Sequence, residues 1–175
     1  DLLEAAEIVA VEDSRVTGKL LHHLEIKQRL IRYDDHASDA TRDHVLALAS
    51  KQPVALVSDA GTPLISDPGF KLVRAARERG VPVFSLPGPS AAIMALTLAG
   101  LPSDRFLFAG FLPNKDKARR DALRGLAGIN ATLVLYETSP RLTDALAAIA
   151  DELPGREIAV ARELTKRFEE CRTGS

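Results

Sequence analysis

The chain has 175 residues, 46% of them hydrophobic and 27% charged, which suits one large globular domain or two small ones. Its single cysteine, Cys171, excludes an internal disulfide and points to a reducing compartment, so a cytoplasmic location is expected. A net charge of −1 leaves nucleic-acid binding to a local basic patch, and no apolar run or export signal predicts a membrane partner.

Short β-rich runs alternate with helical stretches along the first half. Residues 8–11, 30–33, 54–57 and 81–86 read as strands, and 14–24, 38–51 and 69–79 as helices. In the last helix Phe70, Val73, Ala76 and Arg77 keep helical spacing, with Leu72 beside them. Such alternation implies right-handed crossovers and a parallel sheet. The 54–57 run is continuously apolar, as in a strand covered on both faces. Gly100 to Asp104 is the expected boundary between an N-terminal α/β domain, 1–101, and a C-terminal one, 102–175. Beyond it 106–111, 131–137 and 157–164 read as strands, and 115–126 and 140–153 as helices. The chain reaches Ser175 just after a strand-like run. Asp67-Pro68 and Ser139-Pro140 each predict a capping side chain before a proline at the first helical position. Gly80 suits a helix C-terminus.

In open parallel sheets, ligands bind beyond the carboxyl ends of the strands. Three loops there are rich in Gly, Pro and small residues: 58–69, 87–92 and 136–141. Small residues let backbone approach a ligand, and helix N-termini at Gly69, Ser90 and Pro140 offer unpaired N–H groups. Each loop alone reads better as a capped turn; three at one edge point to a small-cofactor site. No GxGxxG, GxxxxGK[ST] or GxSxG occurs, and Gly18-Lys19 has Asp13 and Leu20 where a phosphate loop needs Gly and Ser/Thr. His22 and His23 are adjacent, without metal-ligand spacing, so no metal is expected. Lys115, Lys117, Arg119, Arg120 and Arg124 form the densest basic stretch; 117, 120 and 124 share a helix face. That face reads as a phosphate-binding stripe or as a solvated surface diluted by Asp116 and Asp121. Ile93, Leu96 and Leu98 read as core or as dimer surface.

The run from Val57 to Gly69 resembles the signature of the ribosomal RNA small-subunit methyltransferase I family, a branch of the tetrapyrrole methylase class. Val11-Glu12-Asp13-Ser14-Arg15, Leu86-Pro87-Gly88-Pro89-Ser90-Ala91, Gly110-Phe111-Leu112-Pro113, Tyr136-Glu137-Thr138 and Ala161-Arg162-Glu163-Leu164-Thr165-Lys166 match it in the same order, over essentially the whole chain. The resemblance implies a tetrapyrrole-methylase-like α/β fold of two domains, mostly parallel sheet in the first and mixed sheet in the second. It implies S-adenosyl-L-methionine as donor, 2′-O-ribose methylation of a cytidine in 16S rRNA of the small ribosomal subunit, and a homodimer. It sets Ala60, Gly61, Thr62 and Ile65 against the donor, Ser90 and Ala91 at its other end and Tyr136 at its adenosine side. Thr62 stands where the wider class carries an acid. Asp67 suits the donor's cationic parts, or caps a helix.

A ribose hydroxyl is a weak nucleophile, so a general base helps, and Glu12, Asp13 and His36 are the candidates. Arg15 holds a phosphate or pairs with Asp13, and Lys115, Lys117, Arg119 and Arg120 are the expected RNA contacts. Glu12, Asp13 and Arg15 read equally as a surface ion-pair cluster. The family also has an earlier strand and a Pro/Gly-rich loop, and further strands after the last one here. The chain is therefore expected to be a fragment whose first sheet lacks its central first strand. Two other functions stay open: a sister methyltransferase acting on a tetrapyrrole or other small substrate, and a non-catalytic truncated binding domain.

Overall fold

A computed structural model describes residues 2–174, and the chain divides into two compact units, Asp1–Pro89 and Ser90–Ser175. The first contains α1 (Leu2–Ala5), β1 (Ile8–Val11), α2 (Ser14–His23), β2 (Leu30–Arg32), α3 (Asp39–Ala49), β3 (Val54–Val57) and α4 (Phe70–Glu78). The strands form one parallel sheet in the order β2-β1-β3, with Val9 level with Leu30 and Ala55, and Val11 level with Arg32 and Val57. The central strand is apolar throughout and all four of its residues are buried. Ile8 and Ala10 pack with Tyr33, Val45, Leu46, Leu72 and Ala76, so α3 and α4 cover the sheet with their apolar faces. The helix starts are local: the Asp13 carboxylate accepts from the Arg15 N–H, and the Ser38 hydroxyl from the Thr41 N–H. Gly80, at φ 69°, ends α4 as its position implies.

Two local expectations are corrected. Residues 81–86 form no strand. Pro82 and Pro87 remove ladder donors, and Phe84 and Leu86 are exposed rather than packed. Nor does Asp67 cap α4: the N-cap is Gly69, whose φ of 128° is open only to glycine.

The second unit contains α5 (Ala91–Ala99), β4 (Phe106–Phe111), α6 (Asp116–Ala127), β5 (Thr132–Tyr136), a 3-10 turn (Ser139–Arg141), α7 (Leu142–Glu152), β6 (Ile158–Arg162) and β7 (Glu170–Gly174). The 100–104 linker lies inside this unit, after α5. β4 and β5 pair in parallel, with an irregularity between Phe108 and Gly110, whereas β6 and β7 pair antiparallel. Thus the chain has a parallel sheet first and both kinds of pairing after it. Ser139-Pro140 opens the 3-10 turn, whose N-cap is Thr138; α7 follows it. Leu112, Leu123, Ala145, Ala148 and Leu153 close one core between α6 and α7, and Ala92, Leu96 and Val134 a second beneath α5. Leu96 is therefore core, whereas Ile93 and Leu98 are exposed. Among the described residues no helix is long and apolar enough to cross a membrane.

Candidate functional site

Because β1, β2 and β3 run parallel, Glu12, the turn at 34–36 and the loop 58–69 all leave the first sheet at one edge. The loop is tied at several points. The Thr62 hydroxyl donates to the Pro89 carbonyl at 2.8 Å, joining loop 58–69 to loop 87–89, and Ser58 donates to the Ala60 carbonyl at 3.2 Å. Gly61 (φ 72°), Leu64 (φ 74°) and Ser66 (φ 59°) all adopt left-handed backbone. For Leu64 and Ser66 this is strain of the kind that clusters at ligand sites. It leaves Ile65, an apolar side chain 43% exposed, on the loop surface beside Ala60 and Gly61, which are exposed too. At the loop's end the backbone is packed tightly: a Cβ on Gly69 would stand 2.8 Å from Leu56 Cδ2.

Acids crowd this edge. Burial pushes the Glu12 carboxyl up, and the neighbouring charges of Asp59, Asp67 and Asp35 push it further. Burial likewise raises Asp67, against a hydrogen bond from Ser58 that lowers it. Asp13 is the opposite case. The Arg15 guanidinium reaches its two carboxylate oxygens at 2.5 to 3.1 Å and holds it at about 2. With the Arg15 N–H bonded as well, Asp13 is firmly ionised and occupied, which makes it a poor proton acceptor. The Asp13 N–H donates to Asp59 Oδ1 at 3.3 Å, so the β1 and β3 loops touch. His36 is exposed, its backbone N–H bonded to Asp34. Among the described residues no acids, histidines or cysteine are grouped as metal ligands. Asp59 and Asp35 escaped the sequence reading, although Asp59 lies in the singled-out loop directly after β3.

The second unit assembles Ser90, Ala91 and Tyr136. Tyr136 ends β5, and its hydroxyl accepts the Ala92 N–H at 3.2 Å, satisfying a free donor in the first turn of α5. Its ring packs edge-on against Phe108 and Phe111, with centroids 4.8 and 5.5 Å away. Glu137, next in line, has a side chain only 9% exposed and accepts the Thr138 N–H. The Arg141 guanidinium lies 3.1 Å from Glu137 Oε2, off the hydrogen-bonding direction, and donates to the Leu112 carbonyl at 2.5 Å. This half-buried pair, which the sequence did not disclose, fastens the end of β4 to the end of β5.

The basic stretch is largely consumed internally. Arg119 is buried and reaches Asp116 at 3.3 Å. Arg120 bonds Asp116 from its own helix and Asp151 and Glu152 from α7; Arg124 bonds Asp121 and Glu152. Arg120 and Arg124 therefore tie α6 to α7 and Arg119 stays within its own helix, whereas Lys115, Lys117 and Arg15 remain exposed.

The family model "Tetrapyrrole (Corrin/Porphyrin) Methylases" matches residues 1–175. Curated relatives named "Ribosomal RNA small subunit methyltransferase I" include one from Erythrobacter litoralis (strain HTCC2594). It is 61% identical over 174 residues, which is 99% of this chain and 62% of the relative. Another, from Escherichia coli O157:H7, is 51% identical over 171 residues, 97% of this chain and 60% of the relative. The chain thus spans about three-fifths of the length of these relatives. Among solved structures, a cobalamin biosynthetic enzyme, cobalt precorrin-4 methyltransferase, aligns with a TM-score of 0.59 at 16% identity. It covers 98% of this chain and 75% of its own and so shares the fold. With a family model matched from end to end and close relatives along its whole length, the chain belongs to the tetrapyrrole (corrin/porphyrin) methylase family.

Proposed function

We propose that this chain is the core of an S-adenosyl-L-methionine-dependent methyltransferase that modifies the ribose 2′-hydroxyl of a cytidine in 16S rRNA of the small ribosomal subunit, working as a cytoplasmic homodimer. The observation that carries the reading is loop 58–69, locked by the Thr62–Pro89 bond and bearing an outward Ile65, in a chain whose near relatives carry the rRNA methyltransferase name. The loop fits the donor. Exposed Ala60 and Gly61 offer backbone to its polar groups, Ile65 offers an apolar contact, and the acids Asp59 and Asp67 suit a cation. The Thr62 hydroxyl is spent on Pro89, so Thr62 shapes the loop and contributes backbone. In the second unit Ser90 and Ala91 supply N–H groups at the start of α5, and Tyr136, whose hydroxyl accepts the Ala92 N–H, supplies a ring and an O–H donor, which suit an adenosine.

When bound, the donor supplies an electrophilic methyl group on a sulfonium centre. The protein's part is to position the ribose hydroxyl and to take its proton. Glu12 is the best placed of the three candidate bases: its raised pKa brings it toward the operating pH, whereas Asp13 is tied to Arg15. Of the expected RNA contacts, Lys115 and Lys117 are exposed and suit RNA phosphates, whereas the Arg15 guanidinium is committed to Asp13. The test is twofold. Calorimetry with S-adenosyl-L-methionine should give saturable heat. Labelled methyl should enter assembled small subunits and not a porphyrin precursor; incorporation into the porphyrin alone would reassign the substrate, and no heat would remove the enzyme reading.

A further inference from the structure

The segment between β6 and β7, residues 163–169, includes the end of a family-like motif to which no role has been given above. It is a built loop rather than slack chain. Glu163 (φ 50°) and Thr165 (φ 63°) both adopt left-handed backbone, an unusual state for a β-branched residue such as threonine. Glu169 holds the Thr165 N–H at 2.7 Å, the Lys166 N–H reaches the Glu163 carbonyl at 3.0 Å, and the Lys166 ammonium lies 3.3 Å from the Glu163 carboxylate. At the ladder's end Glu170 is bonded by both Arg162 and Arg172. The carboxylates of this hairpin are thus committed to partners within it. What the loop presents outward is Arg167, stacked 5.4 Å above the Phe168 ring, and the ring itself, 68% exposed. A large aromatic held in water beside a guanidinium is poorly explained by packing, and it is the combination on which unpaired bases stack beside their phosphates.

A cavity of about 230 Å³ is lined by Thr132 and Leu133 from the start of β5 and by Ile158 and Ala159 from the start of β6. The starts of β5 and β6 thus share one cavity, and residues 163–169 follow from the other end of β6.

We infer that the β6–β7 loop is a single-stranded RNA contact in which Phe168 stacks on an unpaired base and Arg167 faces an adjoining phosphate. This rests on the proposed RNA substrate and names the part of the chain that grips it. The test uses the whole protein and a short single-stranded RNA carrying 2-aminopurine, with binding read by anisotropy and stacking by fluorescence quenching. Phe168→Leu keeps the bulk and removes the π face; it should weaken binding roughly tenfold and abolish the quenching. Arg167→Ala should lower the slope of log affinity against log salt by about 0.7, one phosphate contact's worth on a single strand. Heat of binding to S-adenosyl-L-methionine should be unchanged in both, which separates loss of RNA grip from loss of fold. Wild-type affinity and quenching in Phe168→Leu would overturn the inference, as would absence of RNA binding by the parent protein. Failure of the parent to methylate small subunits while it still binds and quenches the RNA would instead count against the proposed reaction and leave this contact standing.

Discussion

Loop 58–69 contains two glycines with different tasks, and alanine at each separates fold from ligand. At Gly69 the backbone has φ 128°, and an added Cβ would stand 2.8 Å from Leu56 Cδ2 and 2.9 Å from Leu64 Cδ1. The backbone strain costs about 1–3 kcal/mol. The clash adds roughly 1 kcal/mol, the low end for overpacking, because it meets the far ends of two flexible side chains. Gly69→Ala should therefore destabilise the first unit by about 2–4 kcal/mol. At Gly61, φ is 72° and the nearest atom to an added Cβ is the Pro89 carbonyl oxygen at 3.9 Å, so only the left-handed penalty of about 1–2 kcal/mol applies. Native-state hydrogen exchange of the buried β1 amides reads the stability of this unit apart from the other. The binding order should be the reverse of what stability alone would give. Gly61→Ala places a methyl on the exposed face of the loop and should weaken S-adenosyl-L-methionine binding by more than its stability loss accounts for. If Gly69→Ala costs less than about 0.5 kcal/mol, or if Gly61→Ala binds donor as the parent does, the argument that this loop is shaped for a ligand fails.

Three further outcomes follow from the same edges. Glu12 has its pKa raised in the fold, so its ionisation works against folding as pH climbs from the ordinary value of 4.5 through the raised one. Glu12→Gln should therefore be more stable than the parent at pH 7, with the gain gone below pH 4.5, while methyl transfer falls; pH-resolved thermal melts and single-turnover assays check the two halves. Tyr136→Phe removes the acceptor of the Ala92 N–H and should cost the second unit about 1 kcal/mol in urea unfolding, with donor affinity largely kept because the ring remains. Arg120→Ala breaks bonds to Asp116, Asp151 and Glu152 and should lower Tm with little change in the salt dependence of RNA binding. Lys117→Ala should do the opposite, and equal effects of the two on RNA would restore the whole stripe as a binding face.

How far the sequence disclosed this molecule depends on whether a feature is local. β1, β3 and β4 are apolar runs whose bounds are readable directly, and Ser38 and Gly80 mark helix ends through groups within a few residues. Residues 81–86 look like another such run, but a strand exists only with a ladder partner, and two prolines and an exposed Phe84 show what an apolar run does without one. Loop 58–69 was legible as a ligand loop because its glycines and prolines are chemistry in themselves. Its clasp to Pro89 was not, since that bond joins residues 27 apart. The basic helix shows the same limit most sharply. Arg120 and Arg124 have the spacing of a phosphate stripe, yet carboxylates at the end of α7, some 30 residues later, neutralise them. In the 163–169 loop the pairing is the other way round: its two carboxylates, Glu163 and Glu169, are spent on neighbours a few residues away, and the arginine with a ring for its partner is left facing water. A cation becomes a binding group where the fold brings no acid to meet it, and that depends on which elements pack together rather than on how many basic residues a stretch contains.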